Sequence, residues 1–130
     1  VSGKLEKKAL QGRLVGQGGL VAYLGTSDAQ RVEEMIAAGD ENAKLIFAAM
    51  AYQVAKDIGA MATVLAGKLD GIVLTGGLSH SGRLTSLISD RVRFLAPVHV
   101  HPGEDEMSAL AEGGLRVLSG EEDVKAYGQP

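Results

Sequence analysis

Apolar side chains recur along this chain in two patterns, one at helical spacing and one as short unbroken runs, with glycines between them. From Lys4 to Arg13 basic and polar residues surround Leu5, Ala9 and Leu10, which suits an exposed helix with one apolar stripe. Gly16, Gly18 and Gly19 interrupt it. The run Leu20-Val21-Ala22-Tyr23-Leu24 is too short for periodicity to separate a strand from a helical turn, and a helical turn is the expectation. A helix is predicted to begin at Thr26-Ser27-Asp28, where Ser27 and Gln30 have the spacing of a capping box and Asp28 adds negative charge to the first turn. Gly39 stops it. A longer helix starts near Asp40 and runs to Gly67, with Ile46, Met50, Val54, Ile58, Met61 and Leu65 at spacings of three and four. At 1.5 Å per residue it spans roughly 40 Å. Ala48, Ala49, Ala51, Ala55, Ala60 and Ala62 occupy its other faces, so neighbours can come close on several sides and the helix is expected to be central.

The run Gly71-Ile72-Val73-Leu74-Thr75 has no alternation and reads as a parallel strand covered on both faces, ended by Gly76-Gly77. A helix follows from Ser81, with Leu84, Leu87, Ile88 and Val92 on one face. Phe94 to Val100 supplies a second strand with Pro97 near its middle, marking an edge or a bulge. After Pro102-Gly103, the acidic triplet Glu104-Asp105-Glu106 opens a last helix that turns Met107, Leu110, Ala111, Leu115 and Leu118 inward and stops at Gly120. Strand, helix, strand, helix in this order predicts an α/β fold containing a βαβα unit with a right-handed crossover. Ligands of such sheets bind beyond the carboxyl ends of the strands, a position taken here by Thr75 to Ser81.

Composition narrows the choice of partner. The 130 residues fit one domain, and 13 basic against 16 acidic side chains give a net charge of -3, too little positive field for generic nucleic-acid binding. With no cysteine there is neither a disulfide framework nor a thiolate metal site. No unbroken apolar run reaches the roughly 18 residues of a membrane span, so no membrane association is expected and a cytoplasmic location is. The start, Val1-Ser2-Gly3-Lys4, lacks a signal pattern and an initiator Met, which suggests processing or a piece of a longer chain.

The segment Thr75 to Ser81 joins a buried strand to a helix start. Gly76 and Gly77 let the backbone take positive φ and approach a ligand, and unpaired helical N–H groups favour an anion or a polar ring edge. A nucleotide fits that description. So does a tight turn in which Ser79 or Ser81 merely caps the helix, and the segment is neither a GxGxxG motif nor a P-loop.

Longer stretches are more specific. Gly18 to Thr26, Met50 to Ala62, Asp70 to Ser81, and Ala96-Pro97-Val98 followed by Pro102 to Met107 resemble, in order, the C-terminal part of butyrate kinases. These belong to the acetate kinase branch of the actin, sugar kinase and Hsp70 superfamily. The resemblance implies a partial ribonuclease H-like (actin-like ATPase) domain, with residues 1–130 as the C-terminal nucleotide-binding segment of a two-domain carboxylate kinase and the first domain lying upstream. It implies ATP-dependent, reversible phosphorylation of butyrate or a related short-chain fatty acid, with Mg²⁺ as cofactor and a homo-oligomeric assembly. The phosphate loops and the catalytic residues would lie upstream, leaving the isolated segment inactive.

By this resemblance the cofactor-binding residues are Gly76, Gly77, Leu78, Ser79 and His80, against the adenine and ribose, together with Asp28 and Arg31 from Thr26-Ser27-Asp28-Ala29-Gln30-Arg31. Gln30 stands where the family pattern has Arg; it could equally be a cap partner of Ser27. Glu104 and Glu106 resemble the segment that orients the magnesium shell, although carboxylates at a helix start are favourable there without any metal. His99, His101 and Asp105 could ligate a metal or lie on the surface; zinc normally takes three or four such ligands. Arg83, Arg91 and Arg93 suit a solvated face, with a phosphate partner conceivable. Two rival functions remain open: a non-catalytic dimerisation or assembly module built on the alanine-rich helix, and a stand-alone anion-binding α/β domain.

Overall fold

Polar side chains decide where the main helices begin. The computed structural model describes residues 6–103, 105–124 and 128. Its helices are α1 (Lys7–Leu14), α2 (Gly19–Leu24), α3 (Ala29–Ala37), α4 (Glu41–Val64), α5 (Gly82–Val92) and α6 (Glu106–Leu118), with strands β1 (Ile72–Gly76) and β2 (Val98–Pro102) and a 3-10 turn at Gly77–His80. Asp40 caps α4 through the Ala43 N–H at 2.9 Å, and Ser81 caps α5 through the Leu84 N–H at 2.9 Å. At α3 the expected Ser27 capping box does not form. Asp28 is the cap, its Oδ1 accepting from the N–H groups of Gln30 at 2.9 Å and Arg31 at 3.4 Å. A carboxylate answers two orphan donors with full negative charge at the positive end of the helix, which a hydroxyl one residue earlier does not.

The core is built around α4, which packs against α5, α3 and α2. Its buried side chains are Ala43, Phe47, Ala51, Ala55 and Ala62, and the first four share one core with Val32 of α3, Leu84, Ile88 and Val92 of α5, and Ile72 of β1. The periodic stripe of larger apolar residues is not the buried one. Ile46, Met50 and Ile58 are half-buried flanks, while Met61 is 61% exposed and Leu65 and Val54 are exposed as well. Alanine on the contact line lets helix axes approach more closely than a line of methionine and isoleucine would. The helix also ends earlier than expected, at Val64, and the chain turns away through Ala66 and Gly67 at φ 51° and 74°. By length and composition α4 would suffice to cross a membrane, which the expectation from unbroken apolar runs had excluded. In this structure its alanine face lies in the protein core.

β1 and β2 are parallel, in the register Ile72↔Val98 to Gly76↔Pro102. Pro97 lies before β2 rather than inside it, its carbonyl accepting the Ile72 N–H at 2.8 Å, and Phe94 is exposed outside the strand. Ile72 and Leu74 face the core, but Val73 on the opposite face is 61% exposed, so β1 is not covered on both sides by the described residues. A second correction of the same kind concerns α6. Met107, Leu110, Leu115 and Leu118, expected inward, are all exposed, and α6 buries none of its residues.

Candidate functional site

The turn after β1 is shaped by one glycine more than the other. Gly76 sits at φ 86°, ψ 176°, a region essentially closed to L side chains, whereas Gly77 opens the 3-10 turn. This reversal is held from both sides. The Gly76 N–H donates to the Gly103 carbonyl at 3.1 Å, and the buried Ser79 hydroxyl lies 2.7 Å from the Gly76 carbonyl oxygen and 3.3 Å from that of His101. Ser79 therefore pins the turn to β2. The chain then leaves the turn through His80 and Ser81 into α5.

Across from the turn stands the capped start of α3. Between them lies a cleft of about 580 Å³, lined by Gly77, Leu78, His80 and Ser81 on one side and Asp28, Gln30 and Glu33 on the other. Two segments far apart in sequence thus meet. Of the residues expected there, Asp28, Gly77, Leu78 and His80 line the cleft. Gly76 and Ser79 do not line it, and Arg31 turns to an exposed ion pair with Glu34 at 2.8 Å. Gln30 lines the cleft instead.

Glu33 was not singled out by the sequence. Its Oε1 accepts the hydroxyl proton of Ser81, from the far side of the cleft. No local pattern marks that pair, because its members are joined only by the packing of α3 and α5 around Phe47 and Val32. The lining holds two carboxylates and neither a lysine nor an arginine. Such a wall receives hydroxyl and amine donors and repels phosphate.

Glu104 lies outside the described residues, and Glu106 is exposed in the first turn of α6, away from the cleft. Among the described residues no three potential ligands come together, so His99, His101 and Asp105 form no such group either. Two arginines at the end of α5 have surface roles: Arg91 donates to the Leu87 carbonyl at 2.9 Å and lies over the Tyr52 ring, and Arg93, just past the helix, pairs with Asp90 at 3.6 Å.

A parallel βαβ unit whose glycine turn faces a capped helix start across a polar cleft is an arrangement suited to a nucleoside-sized ligand. The chain matches the model of the acetokinase family over residues 4–113 and belongs to that family. Over 127 residues it is 54% identical to a protein described as "Probable butyrate kinase 2" from Caldanaerobacter subterraneus subsp. tengcongensis, a match covering 98% of this chain and 36% of that relative. The chain spans about a third of the length of the curated relative it matches.

Proposed function

We propose that this chain is the adenosine-binding, C-terminal segment of a two-domain carboxylate kinase. The reaction would transfer the γ-phosphoryl group of ATP to the carboxylate of butyrate or a related short-chain fatty acid, giving an acyl phosphate and ADP, and would run in both directions. Family membership and the name of the relative support the reaction class. The observation that carries this chain's own part is the cleft in which Asp28 meets Gly77, Leu78 and His80. Its acidic lining suits the nucleoside end of a nucleotide, and the phosphates would extend toward groups supplied by the other domain. Magnesium would enter on those phosphates, since Mg²⁺ is commonly held by few protein carboxylates and by the nucleotide itself.

Titration of the chain with MgADP, followed by backbone amide shifts, tests this. Saturable shifts are expected at Gly77, Leu78, His80 and Asp28, with none around Gly16. Unchanged shifts in that cleft at high MgADP, in a folded chain, would remove the nucleotide from it.

A second reading, the assembly module, is favoured by the apolar side chains left on the outside. Val73 of β1 and Met107, Leu110, Leu115 and Leu118 of α6 are all exposed, apolar side chains of the kind that a partner surface covers. Sedimentation of the isolated chain is expected to show self-association that weakens on dilution. A strict monomer at every concentration would refute that reading and leave the first intact.

A further inference from the structure

The Glu33–Ser81 pair fixes the hydrogen-bonding character of the cleft. A serine hydroxyl has one proton and two lone pairs. In Ser81 the proton goes to Glu33 and one lone pair takes the Leu84 N–H, so toward the cleft this hydroxyl has acceptor capacity and no donor. Glu33 and Asp28 are carboxylates and accept only. The helix-start wall is therefore a row of acceptors with two negative charges, and Glu33, half-buried, supplies one charge while also deciding where the Ser81 proton points. Gln30, whose amide can both donate and accept, completes the lining together with Gly77, Leu78 and His80, and none of these is a lysine or an arginine.

The geometry points to Glu33 as a residue that determines ligand specificity: it makes the cleft select a ribose with both hydroxyls free and reject a nucleotide phosphorylated on that ribose. Free hydroxyls donate into these acceptors, whereas a phosphorylated position loses its hydroxyl donor and brings a phosphate toward two like charges, a juxtaposition that is strongly unfavourable at close range. This rests on the nucleotide reading above and adds to it the form of nucleotide accepted.

The test compares MgADP with ADP carrying a further phosphate at the 2′ or at the 3′ hydroxyl, titrated into the full chain. Both isomers are expected to bind at least about tenfold more weakly than MgADP, the size of one lost hydrogen bond to a charged group. In Glu33→Gln the new carbonyl can still accept the Ser81 proton, so the cleft keeps its shape and loses one charge. MgADP affinity is expected to fall severalfold as its ribose hydroxyls lose a charged acceptor, while the phosphorylated isomers bind no more weakly than before, so the gap narrows, a change in selectivity that a purely structural role for Glu33 would not produce. Either isomer binding the unsubstituted chain as tightly as MgADP overturns the inference without recourse to a variant. An unchanged gap in folded Glu33→Gln overturns the role of Glu33 while sparing the nucleotide reading. Failure of MgADP itself to bind would overturn both.

Discussion

Replacing Phe47 by alanine is expected to cost about 3 to 5 kcal/mol of stability, enough to unfold a large fraction of the chain at room temperature. Phe47 is fully buried on α4 and is the largest side chain that the core encloses completely. It belongs to the core shared with Val32 of α3, Ile72 of β1 and Leu84, Ile88 and Val92 of α5, where the alanines Ala43 and Ala51 contribute far less volume. Removal of the ring leaves a void that a close-packed interior cannot collapse without moving helices. The matched control is Met61→Ala on the same helix, at a position 61% exposed, where a change within about 0.5 kcal/mol is expected. Urea unfolding of both variants decides the matter. Equal losses would mean that α4 presents its methionine and isoleucine stripe to the core, contrary to the packing described above.

The second large effect is expected at the glycine turn. Gly76→Ala places a Cβ on a backbone at φ 86°, ψ 176°, with strain on the order of 1–3 kcal/mol. Relief of that strain by rotation would break the paired contacts to Gly103 and carry the Ser79 hydroxyl away from the carbonyls of Gly76 and His101. The whole lip of the cleft is built on those contacts. Loss of the MgADP response at Gly77, Leu78 and His80 is therefore expected together with a lower unfolding midpoint. Wild-type stability in Gly76→Ala would show that the turn does not need the conformation seen here. Gly77, which opens the 3-10 turn, does not carry that left-handed demand.

Where elements start and stop was mostly legible. Glycine at Gly39 and Gly120 follows the ends of α3 and α6, because these positions need positive φ, at 91° and 76°. Ser81 was visible as a cap, and the inward face of α5 was right for Leu84, Ile88 and Val92. Two neighbouring candidates for one job were harder. Ser27 and Asp28 both suit a helix cap, and the choice turned on a carboxylate's ability to serve two N–H groups. Gly76 and Gly77 both permit a reversal, and only the pairing of β1 with Gly103 shows which one performs it.

The site divides in the same way. The glycine turn and Asp28 could be named in advance because each sits at a chain feature with its own local physics, a strand end and a helix start. Arg31 was expected in the cleft by motif position alone, but its side chain finds Glu34 one helical turn on, as residues three apart on a helix do. Glu33 gave no signal, since a glutamate in an exposed-looking helix becomes notable only when Ser81 arrives beside it.

By itself the sequence determined the order of elements, their approximate bounds, the parallel strands and the family. These depend on local backbone preference, on the period of apolar residues and on an ordered likeness spread over the whole chain. The tertiary structure decided which face of α4 is buried, which side of β1 is covered and which polar groups share the cleft. Both stripes of α4 have helical period, and a pattern of that period states only that one face is apolar. Which face wins depends on how closely the partner helices can approach, and alanine allowed the closer fit around Phe47. Likewise Asp28, Glu33 and Ser81 acquire a common role through the docking of α3 on α4 and of α4 on α5, a spatial relation that no residue's own chemistry records.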